Sequence, residues 1–291
     1  MDMDDLAAFP SGTFPTLSTR AAAAKRRRLD REFQQAVATG QLEVAYQPRI
    51  DLGTGRMIAY EALIRWPDRR RGLMLPDVIL PLAERTRLSE TVGAWVLDCA
   101  CNAAARWSGP SVCVNVSGRQ VRSAIILAQV SAALATSGLA PERLELEMTE
   151  DTLLAGGVDT LITLSALRDL GVGLLLDDFG TGLGNLVALR RLPLTAIAID
   201  RSLVRDLPDQ QETAAITHAV IQTARAMDLM TVAEGIETES QRAVLAGLGC
   251  DAGQGFLFGQ PALAVSDKGR SAARPGLRCR PNGATTMEWT R

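Results

Sequence analysis

The sequence predicts an α/β chain folded as a TIM-type (β/α)8 barrel, and three observations carry that prediction. Short apolar strands alternate with helical stretches along most of the chain, which implies βα units and a parallel sheet. Eight runs have strand character, the number that closes such a barrel. Polar side chains fall where these strands finish, about thirty residues apart, the repeat of one βα unit. They should therefore gather at one end of a single sheet. An open doubly wound sheet is the alternative, but the chain lacks a dinucleotide-binding glycine fingerprint. Architecture alone assigns no function.

Taken in order, residues 1–28 mix Pro, Ser, Thr and Ala and end in Lys25-Arg26-Arg27-Arg28, the composition of a flexible tail. Leu29 to Thr39 reads as an amphipathic helix stopped by Gly40. Two strands, Glu43–Gln47 and Met57–Arg65, flank the turn-prone Asp51-Leu52-Gly53-Thr54-Gly55. One long helical region spans Pro76 to Trp107. Strands then follow at Val112–Val116, Leu144–Met148, Val172–Leu176, Ala196–Ile199 and Met230–Ala233, with a last one around Gly253–Phe258. Helices between them are expected near Val121–Ser137, Val158–Leu170, Leu183–Arg191, Glu212–Met227 and Glu239–Leu248. The barrel domain is thus placed at 29–264. Residues 265–291 form a second, disordered tail, and neither tail is long enough for another signalling domain.

Composition narrows the chemistry. With 31 Lys+Arg against 33 Asp+Glu, the net charge of −2 offers no global attraction to DNA or a membrane surface. No apolar run approaches the ~20 residues of a membrane span, and no secretory leader is evident, so a cytoplasmic location is expected. Five cysteines without metal-type spacing argue against a disulfide framework and a zinc ribbon. A single histidine, His218, excludes His-pair metal sites. Chemistry must rest on carboxylates, amides, Lys and Arg.

Along Met57–Arg65 the two-residue period puts Ala59, Glu61, Leu63 and Arg65 on one face. A glutamate facing a barrel interior is costly unless it is paired or binds a cation. Asn115, Glu147, Asp177, Asp178 and Glu234 join Glu61 at the strand ends. Any one of these acids alone reads equally well as a helix cap or a surface ion pair. Five together would repel one another without a cation. Oxygen donors without thiol or imidazole suit Mg²⁺, Mn²⁺ or Ca²⁺, and an Asp-Asp pair can bridge two ions for phosphoester cleavage.

Several motifs then resemble those of one family. These are Tyr60–Trp66 (YEALIRW), Tyr46-Gln47-Pro48, Asn115-Val116-Ser117, Glu147–Glu150 (EMTE), Asp177–Gly182 (DDFGTG), Ala233–Thr238 (AEGIET) and Gln254–Gly259 (QGFLFG). Occurring in family order along the chain, over about residues 29 to 263, they resemble EAL domains, the cyclic di-GMP phosphodiesterase family. The resemblance implies a barrel whose first strand is antiparallel. It implies metal ligands at Glu61, Asn115, Glu147, Asp177, Asp178 and Glu234, with Mg²⁺ or Mn²⁺ as one or two ions. It places Glu234, Asp178 and Glu237 near the chemistry, has Gln47, Arg65 and Gln254 contact the dinucleotide, and gives Glu150 the task of steadying the loop after the Asp pair. The reaction it implies is hydrolysis of cyclic di-GMP to pGpG. Cations neutralise the phosphodiester and activate a water, and Arg65 holds a phosphate oxygen. A homodimer is compatible with the family.

The departures bear on activity. Where the family reads LPIDxLKID, this chain has Leu192 to Asp200 with Ala198 at the lysine that serves the attacking water. Loss of one acid–base participant costs about 10²- to 10⁴-fold in rate. Arg201 is no substitute, since a guanidinium does not deprotonate near neutral pH. The loop Gly182-Leu183-Gly184-Asn185 also departs from the usual aromatic and serine residues. Arg69-Arg70-Arg71 reads as a solvated loop, with phosphate or acidic-partner binding as the alternative. Three functions stay open. The first is a cyclic di-GMP-binding domain, weak or inactive in hydrolysis, that signals to a protein partner. The others are an active phosphodiesterase and an interaction module that binds neither nucleotide nor metal.

Overall fold

The computed structural model describes residues 17–154, 157–179 and 190–263. Helix α1 (Leu17–Ala38) leads into β1 (Glu43–Asp51), and a tight turn returns the chain as β2 (Met57–Asp68). Asp51 builds that turn, its Oδ1 accepting from Thr54 N–H at 2.7 Å and Thr54 Oγ1 at 2.9 Å. So short a connection joins only antiparallel strands, because a parallel crossover needs a dozen residues or more. A three-residue strand, β3 (Gly72–Met74), folds back on the end of β2. Next come α2 (Pro76–Arg85), α3 (Ser89–Ala104), β4 (Ser111–Asn115), α4 (Gly118–Arg122) and α5 (Ile125–Ser137). They are followed by β5 (Leu144–Thr149), α6 (Glu150–Leu154), α7 (Gly157–Asp169) and β6 (Gly173–Phe179). Beyond residue 190 lie β7 (Ala196–Ile199), α8 (Ser202–Arg205), α9 (Gln211–Ala226), β8 (Met230–Ala233), α10 (Glu239–Leu248) and β9 (Ala252–Gln254).

The sheet closes. From β2 through β4, β5, β6, β7 and β8 to β9 each neighbour is parallel, and β1 seals the ring by pairing antiparallel with both β2 and β9. This is the expected (β/α)8 barrel with a reversed first strand. Side chains alternate between two apolar layers. Val112, Val114, Leu144, Leu146, Leu174, Leu176 and Ile197 face out and are buried against the helices. A separate internal cluster consists of Leu175, Ala196, Ala198, Val232 and Ala252. Barrel interiors are commonly filled by bulky branched residues. Here three of the five are alanine, which leaves room inside.

Several elements differ from the sequence reading. Helix α1 starts at Leu17, not Leu29, so the basic run Lys25–Arg28 lies within a helix. Its alanine-rich first half has strong helix propensity but no apolar stripe, which is why periodicity missed it. The long helix expected over Pro76–Trp107 is two helices, broken where Arg87 adopts φ 62°. The helix expected near Val121–Ser137 is likewise two, split at Ala124 with φ 56°. Strand β1 runs on to Asp51 and β2 to Asp68, while β9 stops at Gln254. Arg71 is not simply solvated, since it pairs with Glu32 of α1 at 2.7 Å and with Asp68 at 3.2 Å. His218 is exposed on α9. The expected helix near Leu183–Arg191, the glycines of the Gly182–Asn185 loop and the C-terminal tail lie wholly or largely outside the described residues.

Candidate functional site

The register brings polar residues of distant sequence together at one end of the barrel. Gln47 lies opposite Glu61 across β1 and β2, Asn115 opposite Glu147 across β4 and β5, and Arg49 opposite Gln254 across β1 and β9. Glu61 is buried and held on both sides. Its Oε1 accepts from Asn115 Nδ2 at 2.7 Å, and its Oε2 accepts from Gln254 Nε2. Gln254 Nε2 also lies 3.3 Å from Gln47 Oε1, and Gln47 Nε2 donates to the Gly259 carbonyl at 3.1 Å. Two amide donors fix the orientation of this buried carboxylate.

Beside this network Glu147, Asp177 and Glu234 each present a carboxylate oxygen, and the three oxygens lie within 4.8 Å of one another. The acids pay electrostatically for this crowding. Removal from water pushes Glu147 well above the ordinary carboxylate range, and repulsion from Glu61 and Asp177 adds to it while Arg49 opposes. Burial likewise raises Glu234, followed by repulsion from Glu147, Glu61 and Asp177. Asp177 is pushed up to about 6, first by burial and then by Asp178. Three close oxygens with no imidazole or thiolate match a hard divalent cation. The nearest thiol, Cys113, is spent on a hydrogen bond from Sγ to Glu147 Oε2 at 2.9 Å, and burial raises it well above its usual range.

Local structure explains how the loops place these groups. Glu234 sits one residue past β8, its N–H donating to the Ile199 carbonyl at 3.0 Å. Gly235 follows at φ 71°, where an added Cβ would lie 2.6 Å from Arg201 Cβ, so this tight turn requires glycine. The Thr238–Gln241 capping box starts α10, and Gln241 Oε1 also accepts from Glu237 N–H at 2.8 Å. Asp178 adopts φ 58°, and its N–H donates to Asp177 Oδ1 at 2.7 Å.

Not every residue read from the sequence joins the three-acid cluster. Asp178 is exposed at the residue level, and its pKa is raised first by partial burial of the carboxyl and then by repulsion from Asp200. Glu237 is exposed on its loop, and Glu150 opens α6 half-buried. Arg65 is buried at the rim, Nη1 donating to the Ile64 carbonyl at 2.9 Å. Burial lowers its pKa and Glu61 opposes that shift. Ala198 is fully buried in the internal layer.

Arg49 was missed. It is fully buried inside the barrel, with Nη1 2.8 Å from Glu145 Oε2 and Nη2 3.7 Å from Glu147 Oε2. The signal lay in β5, where Glu145 and Glu147 alternate onto the inward face of an otherwise apolar strand. Two inward acids one step apart call for a cation beneath them.

Comparison with known proteins fits this geometry. The family described as EAL domain matches residues 30–261. The bifunctional diguanylate cyclase/cyclic di-GMP phosphodiesterase MucR of Pseudomonas aeruginosa is 39% identical over 249 residues, covering 84% of this chain and 36% of MucR. The cyclic di-GMP phosphodiesterase NbdA of the same organism is 40% identical over 239 residues, covering 80% of this chain and 30% of NbdA. The chain thus spans about a third of the length of these relatives. A solved structure described as the PaMucR phosphodiesterase in complex with c-di-GMP superposes with TM-score 0.77 at 39% identity, covering 80% of this chain and 97% of that one. Among the described residues no helix is long and apolar enough to cross a membrane. Fold, motifs and matched span agree, and the chain belongs to the EAL domain family.

Proposed function

We propose that this domain binds cyclic di-GMP at the barrel mouth together with Mg²⁺ or Mn²⁺, and that it hydrolyses the nucleotide weakly or not at all. The observation that carries this reading is the pairing of a crowded carboxylate cluster with a methyl group at position 198. Glu147, Asp177 and Glu234 would hold the cation, with Glu61 and Asn115 beside them and Asp178 reaching in from the rim. When bound, the cation supplies charge neutralisation at the phosphodiester and lowers the pKa of an attacking water. Arg65 and Gln47, already at the mouth, offer a charged and a neutral donor to phosphate and base. Glu150, at the start of α6, and Glu237, on the loop before α10, are the remaining acids of this reading. The family resemblance puts a lysine amine where Ala198 stands, and a methyl group neither orients a water nor takes its proton. The MucR structure with c-di-GMP supports nucleotide as the ligand. A homodimer, a protein partner and a cytoplasmic location complete the reading as proposals.

The second reading, an active phosphodiesterase, draws on the same acids, because the cluster is complete without the lysine. Turnover of cyclic di-GMP with Mn²⁺, measured side by side for the native chain and Ala198→Lys, separates the two. The first reading expects nucleotide binding with slow turnover, and a rise of about 10²-fold or more with lysine. Fast hydrolysis by the native chain, unchanged by Ala198→Lys, refutes it. Absence of binding with and without metal would leave the interaction module.

A further inference from the structure

The long side chain of Arg49 starts on β1 and crosses the barrel interior to Glu145 and Glu147 on β5, three strands around the ring. Small inward residues make the crossing possible: Ala59 beside it in register, with Cys113 on β4 and Ala196, Ala198 and Ala252 of the internal cluster. Its guanidinium is fully removed from water, yet Nε and Nη2 make no hydrogen bond among the described residues. A buried cation left partly unsatisfied is costly, so a purely packing role would be served better by a Met or Leu of similar volume. What the guanidinium does make are contacts to two acids, one of which belongs to the three-oxygen cluster. The same oxygen, Glu147 Oε2, accepts the Cys113 thiol at 2.9 Å. Glu147 is therefore gripped from the barrel floor by two groups on two different strands.

We infer that Arg49, assisted by Cys113, is a positioning residue of the carboxylate cluster, fixing the orientation in which Glu147 meets a divalent cation. The inference rests on the metal reading proposed above and deepens it. In metal centres the groups behind the ligands typically govern affinity by about 10- to 100-fold. With lysine absent at position 198, Arg49 is the fully buried cation beneath the acids among the described residues.

Calorimetry with Mn²⁺ on the purified full chain, free of nucleotide, tests this on the native protein, Arg49→Met, Arg49→Lys and Cys113→Ala. Arg49→Met should weaken Mn²⁺ binding at least about tenfold, and Arg49→Lys should recover most of that loss. Native affinity in Arg49→Met overturns the inference. So does equal weakening in Met and Lys variants, which would mark lost packing. If Arg49→Met does not fold by circular dichroism, Cys113→Ala decides: weaker Mn²⁺ binding supports the inference and unchanged binding overturns it. A native chain that binds no Mn²⁺ fells the metal reading and this inference together. Native binding with unaltered variants fells this inference alone.

Discussion

Replacing Asp177 by Asn should stabilise the protein when no metal is present. Asp177 Oδ1 accepts from the Asp178 N–H at 2.7 Å, and the Asn amide oxygen can accept the same bond. What disappears is a carboxylate raised from 3.8 to about 6. A group whose pKa is raised on folding stabilises the native state fully below the unfolded value, and that contribution is lost as pH rises through the folded value. For Asp177 the loss runs from about pH 4 to just above pH 6 and amounts to about 3 kcal/mol. Urea denaturation in EDTA at pH 7.5 should therefore show Asp177→Asn more stable by about that amount, a melting shift of about 6–12 °C for a domain of this size. Below pH 4 the two proteins should converge. Mn²⁺ at a thousand times its Kd should reverse the order, because it adds about 4.1 kcal/mol to whichever protein still binds it. A metal-free variant no more stable than the native chain at pH 7.5 would refute the claim that burial, together with repulsion from Asp178, makes the Asp177 carboxylate destabilising.

Three further outcomes follow from the fold. Arg87→Gly relieves a left-handed residue between α2 and α3 (φ 62°) and should raise stability by about 1 kcal/mol, read as a higher urea midpoint. Leu146→Ala empties a fully buried site between β5 and the helices, and should cost about 2–5 kcal/mol in the same assay without changing which ligands bind. Gly255→Ala would place a Cβ 2.1 Å from the Ile236 carbonyl oxygen, so β9 must shift. Because Gln254 is the adjacent residue and donates to Glu61, nucleotide binding by calorimetry should fall together with melting temperature.

Much of the barrel was legible because its strands announce themselves in pairs of signals, an apolar run and a polar residue at its end. The ends of β7, β8 and α10 coincide with the sequence reading, each bounded by a turn residue or a cap. Helix breaks at Arg87 and Ala124 were hidden because neither residue type favours the left-handed conformation it adopts; tertiary packing imposes it. At the site, Glu147 and Glu234 could be placed together because both end inward-facing strands. The looser placement of Asp178 could not be read, since a single residue with positive φ redirects a chain that periodicity continues straight. Arg49 was overlooked for a simpler reason. An arginine in a strand is ordinarily a surface residue, and only its partners, from a strand nearly a hundred positions later, reveal otherwise.

The reversed direction of β1 also has a mechanical consequence. Because Glu43 lies opposite Arg65, the chain enters the barrel at its mouth rather than at its base, and α1 docks there. Phe33 packs edge-on against Trp66 with ring centroids 5.5 Å apart, one residue from Arg65, and Glu32 and Asp30 tie the same helix to Arg71 and Arg85. The 22-residue helix is about 33 Å long, so it acts as a lever clamped at one end to the rim. A displacement of the helix therefore bears on β2, which carries Glu61 and Arg65, through Phe33 and Trp66, and on α2 through Asp30 and Arg85.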